Sequence, residues 1–148
     1  VGFFCYISSI IKTVKDMKQF NANEVKCNGT GGSGYQAVLK HKDEIQGICQ
    51  EVRDLIGIEK LWELATTEPN VDYHQGTRFN SVEDNTYRLI SGIANHISEY
   101  IHTSELIEMH VGSILSMLTI EDKVTLVADA CRDCASADHW YTFEKDWG

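Results

Sequence analysis

One proline, Pro69, stands in 148 residues, where average usage would put about seven. A chain this short of proline has little from which to build the many turns of a β-sandwich. Its apolar residues recur every three or four positions and nowhere show sustained alternation, which is the period of helices. Apolar residues make up 43% of the chain, enough at this length for one buried core and too much for disorder throughout. The expectation is an all-α protein, an antiparallel bundle of five or six helices.

The stripes can be followed along the chain. From Gly2 to Phe20 the apolar positions Phe3, Ile7, Ile10, Val14 and Met17 lie four and three apart, with Lys12, Lys15 and Lys18 on the other sides. Residues 21–34 lose all period. A second helix reads from Tyr35 to Ile56 with Val38, Ile45, Ile48, Val52 and Leu55 inward, and Gly57 is its stop signal. A short helix follows over Ile58–Ala65, then a loop over residues 66–80. Ser81-Val-Glu-Asp84 resembles a capping box and opens a helix with Ile90, Ile93, Ala94, Ile97 and Ile101 on its apolar face. Thr103-Ser104 introduces another, with Leu106, Ile107, Val111, Ile114, Leu115 and Leu118. Thr119-Ile-Glu-Asp122 repeats the cap pattern and starts a last helix that runs to about Ala137.

Charge divides the chain unevenly. Residues 1–28 carry Lys12, Lys15, Lys18 and Lys26 against Asp16 and Glu24, a net +2, while the whole chain is at −9, which leaves −11 on residues 35–148. Between them Gly29-Thr-Gly-Gly-Ser-Gly34 has the composition of a flexible spacer. Three parts are expected: a basic amphipathic helix at 1–28, a spacer at 29–34 and an acidic helical domain at 35–148. The spacer reads equally as a natural loop or as an engineered junction, with the first helix then a tethered partner or a permuted helix. Opposite charge on two joined pieces is what complementary partners show.

Several chemistries are sought and fail on the residues. An acidic chain without clustered Lys and Arg does not suit a phosphate backbone, so no nucleic-acid partner is expected. No apolar run reaches the length of a membrane span, and the apolar start has its lysines after it, unlike a signal peptide. Five cysteines at irregular spacing make a poor disulfide framework and suit a reducing intracellular setting, cytoplasmic or nuclear. Glu99-Tyr-Ile-His102, with His96 and His110 nearby, has the Glu-x-x-His spacing of di-iron bundles. With Ile90 at zero, however, His96, Glu99 and His102 fall at about 240°, 180° and 120°, on the solvent side. Cys131-Arg-Asp-Cys134 with His139 makes three quarters of a zinc knuckle, whose fourth position holds Glu144. No G-x-S-x-G elbow, P-loop or EF-hand is present.

The reading favoured by these residues is a protein-interaction module with no cofactor or metal, a bundle that binds an amphipathic helix in an apolar groove. The expected binding residues are Phe3, Ile7, Ile10, Val14 and Met17 of the first helix, Trp62, and the aromatic tail Trp140, Tyr141, Phe143 and Trp147. The alternative is a small metal-dependent enzyme using Glu99, His102 and His110, or Cys131, Cys134 and His139.

Overall fold

A computed structural model describes residues 20–25 and 33–136 of the chain. The stripe Phe3, Ile7, Ile10, Val14 and Met17 and the tail residues His139, Trp140, Tyr141, Phe143 and Trp147 lie outside the described residues. Within them the protein is all-α, six helices packed on one another with no strand: α1 (Ser33–Leu39), α2 (Lys42–Ala65), α3 (Thr77–Asn80), α4 (Val82–Ser98), α5 (Ser104–Met117) and α6 (Ile120–Ala135). A 3₁₀ turn at Ala22–Glu24 precedes them. Tyr73 and Ser136 form an isolated bridge. No helix among the described residues is long and apolar enough to cross a membrane.

The helix expected from Tyr35 to Ile56 is two helices. The chain turns at Lys40 and His41, where the His41 amide donates to the Val38 carbonyl at 2.9 Å, and α2 starts afresh. The stop at Gly57 holds: its φ of 80° and ψ of 161° break the α2 ladder into two parts. A side chain would resist that backbone region. The C-terminal end of α2 is closed from outside. Arg132 Nε donates to the Ala65 carbonyl at 2.8 Å and Nη2 to that of Leu64 at 3.2 Å, satisfying orphan carbonyls of the last turn.

Helix α4 is the centre of the bundle, in contact with α1, α2, α3, α5 and α6. It starts as its sequence indicates, with Ser81 Oγ accepting from the Asp84 amide at 3.1 Å. Its apolar line Ile90, Ile93, Ala94, Ile97 and Ile101 is buried as expected. So is His96, which the one-faced rotation above put in solvent and which is only 7% exposed. A helix with neighbours on several sides has no single solvent face. Glu99 and His102 are exposed, beyond the helix end at Ser98. The full capping box belongs to α6: Thr119 Oγ1 accepts from the Asp122 amide, and the Thr119 amide donates to the Asp122 carboxylate.

Gly34, the last residue of the glycine-rich stretch, lies in α1 and is buried. A β-carbon there would stand 2.5 Å from Ser98 Oγ, so α1 and α4 come together over a residue without a side chain. The 3₁₀ turn is equally part of the core. Ala22 and Val25 are buried, and the Phe20 ring meets His96 edge-on at a centroid distance of 5.1 Å.

Candidate functional site

One face of α2 presents Gly47, Gln50, Glu51, Asp54 and Leu55, a spacing of three and four that keeps all five on one side of the helix. Together with Ile120, the first residue of α6, they line an open groove of about 670 Å³. Leu55 is 59% exposed and Ile120 is 44% exposed, so the groove has an apolar floor that no described residue covers. Its rim is polar. Gln50 donates to the Asp54 carboxylate at 2.9 Å, and Glu51 takes Lys123 of α6 at 3.1 Å. At Gly47 an added β-carbon would meet nothing within 4 Å, which leaves bare helix backbone open to close approach.

The apolar stripe predicts Leu55 inside, in line with Val52. The buried line of α2 runs Ile45, Ile48, Cys49 and Val52, and Leu55 lies about 80° around the helix from Ile45. Ile48 sits nearly as far round and is covered, whereas among the described residues nothing covers Leu55 at the groove. A stripe in the sequence gives the side of a helix and leaves open where the neighbouring helix stops. The signal for this site was the edge position of Leu55 combined with an isoleucine directly after the Thr119 cap.

A second, smaller cleft of about 220 Å³ lies between the 3₁₀ turn and α6, beside Leu64, Val124 and Ala128. Asp129 and Arg132 on its wall hold each other at 3.1 Å, and Arg132 is already committed to the carbonyls of α2.

The inner side of α2 and α6 differs in kind. Asn85 is fully buried and gathers three elements: its side-chain carbonyl accepts from the Arg53 guanidinium and from the Cys131 thiol at 3.3 Å, and its amide donates to the Arg78 carbonyl at 3.4 Å. Arg53 also donates to the Phe79 carbonyl at 2.6 Å. Burial pushes the Cys49 thiol up to about 11, against the opposing pull of Thr86 and Arg53. Burial likewise pushes Cys134 up to about 12 and Cys131 well above the ordinary thiol range. These sulfurs are protonated at neutral pH, whereas nucleophiles and metal ligands are thiolates. They act as small core residues.

The remaining expected site residues do not converge. Trp62 is half-buried and packs edge-on against the buried Phe79 at 5.0 Å, away from the groove lining. His110 is half-buried and its Nδ1 has no hydrogen-bond partner. Burial lowers its pKa, and the neighbouring His96 lowers it further. Among the described residues no three His, Cys, Asp or Glu side chains are placed to hold a metal ion, so Glu99, His102 and His110 do not form a ligand set. No protein-family model, curated protein or solved structure matches the chain.

Proposed function

We propose that this protein is an interaction module whose α2–α6 groove binds an amphipathic helix. The observation that carries the reading is the pair Leu55 and Ile120, both exposed and lining one open groove together. Covering such a patch is favourable by roughly 25 cal/mol for each Å² of apolar surface removed from water. The Asp54 carboxylate on the rim, in a domain of net negative charge, suits a helix whose apolar stripe is flanked by lysines. The three buried cysteines are free thiols, and that suits an intracellular setting, cytoplasmic or nuclear.

The test is a titration of the full chain with a synthetic lysine-rich amphipathic helix in millimolar excess, followed by NMR. Saturable shifts at Gly47, Leu55 and Ile120 are expected, and Leu55→Asp should weaken binding at least tenfold. Shifts spread over other faces, or affinity indifferent to Leu55→Asp, would remove this groove from the function.

A further inference from the structure

We infer that the groove's occupant is the chain's own residues 3–17, docked within the same molecule through Phe3, Ile7, Ile10, Val14 and Met17. The inference rests on the reading of the groove as a helix-binding site and names the helix. Three observations carry it.

The first is where the chain joins the bundle. Phe20 packs edge-on against His96, and Ala22 and Val25 line a cleft with Val124 and Ala128 of α6, the helix whose first residue lines the groove. The segment is thus tethered beside a helix that borders the groove, with three Cα steps, about 10–11 Å, between Met17 and Phe20.

The second is charge. Residues 1–28 are net +2 in a chain of −9, and Lys12, Lys15 and Lys18 flank the apolar stripe. Residues 35–148 are net −11, and at the groove Asp54 flanks the apolar floor beside a Glu51 paired with Lys123. The third is fit. A stripe of one residue per turn needs a partner surface with an apolar centre and room for close approach. Leu55 and Ile120 give the centre and Gly47 the room.

Tethering makes the docking intramolecular, at an effective concentration on the order of millimolar. An added helix therefore binds in competition with the chain's own. The decisive experiment compares full-length chains carrying Ile10→Asp, Leu55→Asp or both. In urea unfolding each single variant is expected to lower the midpoint, and the double variant to fall no lower than the worse single one, since both remove one contact. Ile10→Asp should also raise the affinity for an added peptide of residues 1–19 at least tenfold. Lys12→Glu with Lys15→Glu is a milder pair, and should have the same effect at low salt and less at high salt.

Additive losses in the cycle, or an unchanged peptide affinity in Ile10→Asp, would overturn the inference. So would a dimer that dissociates on Ile10→Asp, because the segment would then dock on a second copy. If the peptide still binds and Leu55→Asp abolishes that binding, the groove remains a helix-binding site for another partner. If no peptide binds either chain in a Leu55-dependent way, the functional reading falls with the inference.

Discussion

One face of α6 is finished differently at its two ends. Where it is inner, around Cys131, it meets a buried amide whose carbonyl and amino groups both have partners from other parts of the chain. Where it is outer, at Ile120, it exposes an apolar side chain that no described residue covers. Burying polar groups is unfavourable unless they are matched, and exposing apolar ones is unfavourable unless something covers them. The inner end meets its condition within the described residues. The groove leaves its own open, and that asymmetry distinguishes a surface that sets the fold from one available for binding.

The contrast can be broken most severely at Asn85. Asn85→Leu keeps the branching and heavy-atom count and removes the acceptor of Arg53 and of the Cys131 thiol. Denaturant unfolding should show a loss of about 3 kcal/mol, because the charged Arg53 donor loses one of its two acceptors and the Cys131 thiol and the Arg78 carbonyl lose the amide as well. A loss below about 1 kcal/mol would mean that water or a shifted side chain serves Arg53, and the inner end would no longer differ from the outer one in stringency.

Next in size is Gly57, which ends the part of α2 that carries the groove face. Gly57→Ala should cost about 2 kcal/mol through backbone strain alone, because open space around the position excludes a clash. It should also redirect the C-terminal part of α2 and weaken helix binding at Leu55. Unchanged thermal stability would show that the break is not required by the packing.

The smallest effect is one of pH. His110 titrates below its ordinary value of 6.5 because burial, and then His96, disfavour its charged form. The unfolded chain therefore takes up the proton first. The contribution of the neutral ring is fully present above about 6.5 and is lost as the pH falls through the lower folded value. His110→Gln should flatten the stability profile between pH 7 and 5 relative to the native chain. A parallel profile would place His110 in water and shrink the inner region to the neighbourhood of Asn85.

Much of this was written locally. The Thr119 cap, the stop at Gly57 and the line from Ile90 to Ile101 follow from rules that act within a few residues, and they hold in the fold. The failures share a cause. His96 is inside because Phe20, far away in sequence, packs on it and α4 has neighbours on several sides. Leu55 is outside because no described residue covers the groove side of α2 beside Ile120. The turn at Lys40 and His41 carries neither glycine nor proline, and the lysine and histidine there find Glu108 of α5 instead. The groove was illegible because it depends on where one helix starts relative to another.

The Arg132 clasp has a consequence for how the molecule opens. Helix ends ordinarily fray one at a time, each at little cost to the rest. Here the last turn of α6 holds the carbonyls that end α2, 67 and 68 positions away in sequence. Unwinding the end of α6 withdraws the guanidinium and strips α2 of its terminal partners in the same event. The two ends therefore open as one unit, and a protease acting on either meets the combined resistance of both.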